Sequence, residues 1–183
     1  MTGACDNCAS MISGTPSIPS LPEQVARYLD GADLLGRAGQ AFRLSTVDES
    51  GWPHGAQLSV GEVLAANPHH LHLCIWSHSA TCRNLMRTGR ATLSLVLDGA
   101  VFEIRLLATP VAAPPYSAPI GASSAAHPAD EPQLAFFRAT VESTEEHRAK
   151  YADVTTGVSY RLRSPDEVLA RWAAQISLLR QLT

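Results

Sequence analysis

Lysine is almost missing from this chain. Lys150 is the only one, and arginine supplies the rest of the 14 basic residues. Against 17 acidic residues they leave a formal net charge of -3, so there is no electrostatic footprint for nucleic acid. No apolar run reaches the length of a bilayer span, which excludes a membrane-crossing helix. No basic segment followed by an apolar one opens the chain, so no secretory signal is read and a cytoplasmic protein is expected. A glycine-rich dinucleotide loop is missing too. So are a nucleophile paired with a base and two carboxylates in a suitable context. No residue is therefore marked as catalytic.

Cysteine is sparse, and its four positions divide in two. Cys74 and Cys82 fall in or beside expected core elements and read as small buried residues. Cys5 and Cys8 form a C-x-x-C without the second pair that zinc sites usually have. They sit in a Ser/Gly/Pro-rich leader, so a mobile tail is expected, with metal or redox use as the alternative.

What is present describes one domain of ordinary size. Residues 1–19 read as a flexible arm broken by Pro16 and Pro19, and 20–183 as the folded domain. A helix is expected from Ser20 as N-cap with Glu23 as the partner of a capping box, ending near Gly31 or Gly36. Residues 41–47 form a strand, Asp48-Glu49-Ser50-Gly51 a turn, and Trp52 to Leu64 the return strand. Asp98-Gly99 signals a tight hairpin before the strand from Val101 to Ala108. Residues 110–132 hold six prolines among Ala, Ser and Gly and read as a long loop inserted into the domain. Alternation resumes from Phe136 to Glu145, and a last strand is expected over 157–162. Ser164-Pro165-Asp166-Glu167 opens a helix whose core stripe is Val168, Leu169, Trp172, Ile176 and Leu179. The fold class is thus mainly β (α+β): about six or seven antiparallel strands in a small barrel, with flanking helices.

The central unit runs from Leu71 to Leu97. It reads as strand to Trp76, polar turn, short helix stopped by Gly89, and strand from Ala91. Cys82, Leu85 and Met86 are expected on one helix face. Ser77, Ser79, Thr81 and Arg83 gather where the helix begins. There, free backbone N–H groups and the positive end of the helix dipole suit an anion, typically a phosphate. Hydroxyls and a guanidinium add donors for its oxygens. A capped helix start with a solvated arginine is the plainer reading, and both stay open at this point. His70 and His72 share a strand face, but no acidic residue accompanies them, so no metal site is expected. Trp76 reads as a ring free to stack on a cofactor or a partner subunit, and Trp172 as core.

Several segments, in this order, resemble the flavin-binding split barrels related to pyridoxamine 5′-phosphate oxidase. Residues 42–54 resemble that family's opening strand pair, 76–85 its phosphate-binding turn, and 90–95 the strand that follows. The tail from Phe136 through 151–153 and 157–162 resembles a subgroup. The resemblance implies a split-barrel homodimer with FMN at the subunit interface. The FMN phosphate would meet Ser79, Thr81 and Arg83, and the isoalloxazine would lie along Gln57, Leu58 and Ser59, near Ile75, Trp76 and Ser77. It implies an oxidoreductase of unidentified substrate, working by hydride transfer at the flavin. The same fold holding a deazaflavin or haem, or a non-catalytic flavin-storage protein, is the alternative. The chain departs from true pyridoxamine phosphate oxidases: Gln57 or Ser59 stands where they carry an arginine, Ala80 and Thr81 where they carry basic residues. The Arg-rich C-terminal strand that grips their substrate is not recognisable. Pyridoxamine phosphate is accordingly not the expected substrate.

Overall fold

The computed structural model describes residues 18–114 and 133–182. The Cys5/Cys8 pair, the arm up to residue 17 and the loop residues 115–132 lie outside the described residues.

The first helix, α1 (Glu23–Tyr28), starts later than expected. Pro22 stands at the N-cap and no side chain caps it, because the helix begins after Pro22 and not at Ser20; the Ser20 carbonyl accepts from the Thr144 hydroxyl (3.4 Å). The opening segment is pinned by its backbone: Leu21 N–H donates to Pro68 O at 2.7 Å, and His69 Nδ1–H to Pro19 O at 2.8 Å. Val25 and Leu29 then enter the core.

The strands are β1 (Gln40–Val47), β2 (Pro53–Leu58), β3 (Val63–Asn67), β4 (His70–Trp76), β5 (Arg90–Leu97), β6 (Ala100–Val111), β7 (Leu134–His147) and the short β8 (Val158–Ser159). Among the described residues there are thus eight strands, with α2 (Ala80–Thr88) and α3 (Pro165–Arg180) completing three helices. The expected return strand from Trp52 to Leu64 is two strands. Between them Glu62 N–H donates to Ser59 O (3.0 Å), and the Glu62 carboxylate accepts from Ser59 N–H (2.6 Å) and Oγ–H (2.8 Å), which locks a turn. Pro110 and Val111, expected in the loop, extend β6 and pair with Phe137 and Phe136. The last strand is cut to two residues because only Val158 and Ser159 reach the edge of β1.

The sheet order is β2-β1-β5-β6-β7-β4-β3, with every pairing antiparallel. Strands β2 and β3 are consecutive in the chain yet form opposite edges. The sheet curls so that Phe42, Leu44, Leu58, Val63, Leu73, Leu93, Phe102, Ile104 and Phe137 share one interior. That is a split barrel: its edges meet through the Ser59–Glu62 turn and not through a ladder. Asp98 and Gly99 both take positive φ (50° and 78°), the primed turn that matches strand twist.

Strand β4 is buried on both faces. Leu71, Leu73 and Ile75 point into the barrel, whereas Cys74 joins Leu64, Phe136, Ile176 and Leu179 in a second cluster beneath α3. Burial and the nearby Glu62 carboxylate push the Cys74 thiol far above its ordinary range, so it stays a neutral core group. No helix among the described residues is long and apolar enough to cross a membrane.

Candidate functional site

Helix α2 begins where the expected anion turn lies, and its cap explains why. Ser79, in extended conformation, accepts the Cys82 N–H on its side chain at 3.0 Å. At the other end Gly89 takes a left-handed φ of 66° and donates to Leu85 O (2.8 Å). Cys82 and Leu85 reach the core; Met86, expected beside them, is 56% exposed, because the stripe of this short helix narrows toward its end. Asn84, which sequence reasoning passed over, is buried and donates through Nδ2 to Thr46 Oγ1 at 3.0 Å. It ties α2 to β1 and so fixes the turn against the barrel. A polar residue on the inner face of an otherwise apolar helix is the signal that could have marked it. Replacing Ser79 by Ala should cost about 1 kcal/mol of stability in urea denaturation, the usual worth of a serine cap.

The donors left at this helix start are specific. Cys82 N–H is taken by Ser79 Oγ, and Arg83 N–H by Ser79 O (3.2 Å). The N–H groups of Ala80 and Thr81 have no acceptor among the described residues. Ser77 Oγ is buried without a hydrogen-bond partner there, while Ser77 N–H donates to Gln133 O at 2.9 Å. A buried hydroxyl left unpaired is costly. Arg83 is exposed and folds back so that Nη1 donates to His78 O at 3.0 Å, keeping its guanidinium over the turn.

The other expected contacts divide by direction. Thr81 is 2% exposed, so its side chain lies mostly inside, and its backbone N–H has no acceptor among the described residues. Leu58 and Ile75 are core residues, and the Ser59 hydroxyl is committed to Glu62. Gln57 is exposed, and Trp76 is 55% exposed at the end of β4. Strand β2 is a sheet edge, so its outward backbone groups have no ladder partner. Arg43, not singled out from the sequence, pairs with Gln57 across the β1–β2 ladder. Its guanidinium lies over Gly55, 2.5 Å from where a Cβ would stand. The glycine is what lets that side chain lie flat on β2, a cation beside the strand that has none of its own.

Across the barrel wall, Ser45, Val47, Arg90, Thr92, Arg105 and Leu107 line a cavity of about 480 Å³. Val47 (44% exposed) and Leu107 (45%) flank the end of α2: Arg87 donates to Val47 O, and Leu107 Cδ1 lies 3.4 Å from a Cβ built on Gly89. Glu103 and Arg105 are exposed and pair across the ladder with His147 (3.8 Å) and Glu145 (3.5 Å). No group of three or more His, Cys, Asp or Glu residues among the described residues is placed to hold a metal ion.

No protein-family model matches the chain. It is 34% identical over 161 residues to the uncharacterized protein YclD of Bacillus subtilis, across 88% of this chain and 96% of that protein. Among solved structures it is similar to a candidate pyridoxamine 5′-phosphate oxidase of Lactobacillus delbrueckii (17% identity, 69% of this chain and 93% of that one, TM-score 0.48). It is also similar to an F420 reductase (16%, 63% and 97%, TM-score 0.45). A third is an FMN-binding protein of Syntrophomonas wolfei (17%, 69% and 91%, TM-score 0.42).

Proposed function

Because the chain belongs to the family of Bacillus subtilis YclD and folds as a split barrel, we propose that it binds FMN and serves as an oxidoreductase of a small-molecule substrate. The observation that carries this reading is the start of α2. An unpartnered buried hydroxyl (Ser77), two unpaired amides (Ala80, Thr81), the Ser79 hydroxyl and a positioned guanidinium (Arg83) meet within one turn. That donor set fits a phosphate monoester.

The rest of the fit follows from the strands. The pyrimidine edge of a flavin alternates acceptors with one donor, the pattern an unpaired strand edge can read. Strand β2 offers such an edge through its backbone at Gln57 and Leu58, whereas the Ser59 N–H and carbonyl are engaged with Glu62, so Ser59 closes the edge. Arg43 beside Gln57 adds positive charge where electron density collects on a reduced ring. Trp76 and Gln57, both exposed, would bound the ring laterally, with the backbone of Ile75 and Ser77 alongside. FMN, when bound, supplies hydride chemistry at its N5 atom. The protein's own work is to hold the phosphate, orient the ring and exclude water. A deazaflavin, with its polyanionic tail, would need more cations than one lysine and scattered arginines provide. The cytoplasm is the proposed setting: Cys74 and Cys82 are free thiols, the state a reducing compartment keeps.

The test is direct. Purified protein is expected to be yellow, or to take up added FMN with saturable quenching of flavin fluorescence. Colourless protein that does not quench FMN overturns the reading.

Self-association is the second part of the proposal. Exposed Val47 and Leu107 beside a cavity of about 480 Å³ form an apolar patch rimmed by Arg90 and Arg105, the make-up of an interface. The wild type should sediment as a dimer, and V47D/L107D as a folded monomer with weakened FMN uptake. A wild type that sediments as a monomer at micromolar concentration removes this part.

A further inference from the structure

A second cavity, of about 510 Å³, opens on the outer face of the barrel away from the flavin site. It is lined by His70 and His72 of β4, Arg138 of β7, Arg180 at the end of α3, and Asp30, with Leu64 and Leu182 among its apolar walls. His72 and Arg138 face each other across the β4–β7 ladder. The candidate flavin site begins at Trp76, at the other end of β4, four residues or roughly 13 Å along the strand from His72.

The charges there do not balance internally. Arg138 is half-buried and has no hydrogen-bond or ion-pair partner among the described residues. Arg180 uses one N–H on the Asp30 carbonyl (3.2 Å), which fixes the side chain and leaves its other donors open. The one carboxylate in the wall is already engaged: Asp30 Oδ1 accepts from Arg37 Nη1 at 3.1 Å and from Ala32 N–H at 2.8 Å. His72 is buried, and its Nδ1 lies 2.7 Å from Leu179 O. A carbonyl only accepts, so Nδ1 holds the proton and Nε2 presents a lone pair. A partly desolvated guanidinium without an anion, as at Arg138, is unfavourable, and the exposed Arg180 brings a second guanidinium from a separate element to the same space of ligand size.

The geometry points to a binding site for a small organic oxyanion, a phosphate monoester or carboxylate with a compact apolar body, seated between Arg138 and Arg180. The anionic group takes the guanidinium donors, and a hydroxyl or amine on the ligand donates to His72 Nε2. The body rests on Leu64 and Leu182. This site is separate from the proposed FMN phosphate site, and its occupancy does not depend on flavin.

Isothermal titration of the full chain with phenyl phosphate and with benzoate tests it, run on the wild type and on R138Q, R180Q and R83A. Saturable binding is expected, tighter for the dianionic phenyl phosphate. Benzoate affinity should weaken at least tenfold in R138Q and in R180Q, and phenyl phosphate, a monoester that the start of α2 also fits, should lose one set of sites in R138Q and keep that set in R83A. Arg138 makes no internal bond, so R138Q should keep the wild-type melting temperature, which separates loss of binding from loss of fold. Failure of both probes to bind the wild type overturns the proposal. So does phenyl phosphate binding that survives R138Q and vanishes in R83A, which would place the anion at α2 instead. A protein that never takes up FMN but binds phenyl phosphate through Arg138 would refute the flavin reading and leave this one standing.

Discussion

Charge reversal at Arg83 (R83E) is expected to weaken FMN binding by about 100-fold, because a hydrogen bond to a charged group contributes roughly 1.5–3 kcal/mol and repulsion adds to its loss. The folded chain should barely notice. Arg83 is exposed, and its one internal bond is to the His78 carbonyl at the protein surface. It also stands in the first turn of α2, where a carboxylate interacts favourably with the helix dipole. The expected signature is therefore split: a melting temperature equal to or slightly above the wild type, with flavin largely lost during purification. R83A should fall between, about tenfold weaker, since it removes the donor without adding a competing anion. Fluorescence titration with FMN and a thermal melt read both quantities. Unchanged FMN affinity in R83E would move the phosphate away from α2 and leave the free amides of Ala80 and Thr81 without the role assigned to them.

The largest structural effect is expected at Gly61. A Cβ built there falls 2.3 Å from Trp172 Cγ and 2.4 Å from its Cβ and Cδ1, inside any possible contact. Trp172 is 2% exposed and belongs to the main core, so it has nowhere to move without opening α3. G61V should lose about 3 kcal/mol, the upper end for overpacking, which for a chain of this size lowers the melting temperature by roughly 6–12 °C. The comparison with Gly51 isolates the cause. Gly51 has a φ of 83° and open space around it, so G51A carries only left-handed strain, about 1–2 kcal/mol. A G61V protein that melts within about 2 °C of the wild type would show that α3 does not seat against the β2–β3 turn. That turn also carries Ser59 and its bonds to Glu62, so G61V should loosen the end of the β2 edge proposed to read the flavin.

How much of this could be read without coordinates depends on how local the cause is. The β4–α2–β5 unit was legible because each of its signals acts within a few residues: strand alternation to Trp76, a serine cap at Ser79, a left-handed glycine at Gly89. The β5–β6 hairpin was legible for the same reason, since Asp98-Gly99 supplies the positive φ of its turn. Long alternating β7 announced Phe137, Ala139 and Val141 as interior residues, which they are. The break at Ser59–Glu62 was not legible, because it depends on a carboxylate folding back onto its own turn and on Trp172 arriving from over 100 residues away. Ser20 looked like a cap, but the segment is held by backbone bonds to distant residues, Leu21 N–H to Pro68 O and the Thr144 hydroxyl to Ser20 O, and the helix starts only after Pro22, which no local pattern contains.

The candidate site divides along the same line. Composition alone gave no nucleic-acid footprint and no apolar run of bilayer length, and the cofactor reading came from the order of motifs that resembles the flavin-binding split barrels. Local pattern alone put Ser77, Ser79, Thr81 and Arg83 at the start of one helix. Only the tertiary structure decided which of their atoms are free: Thr81 keeps its side chain inside, Ser77 Oγ is left without a partner, and Arg83 bends to His78. It also brought Arg43 over Gly55 beside Gln57, turned Leu58 inward, and gathered Arg138, Arg180 and His72 from three distant elements. The physical reason is one of range. Backbone dihedrals, caps and strand period are set by neighbours along the chain, whereas burial, side-chain direction and the pairing of charges are set by whatever the curled sheet brings alongside.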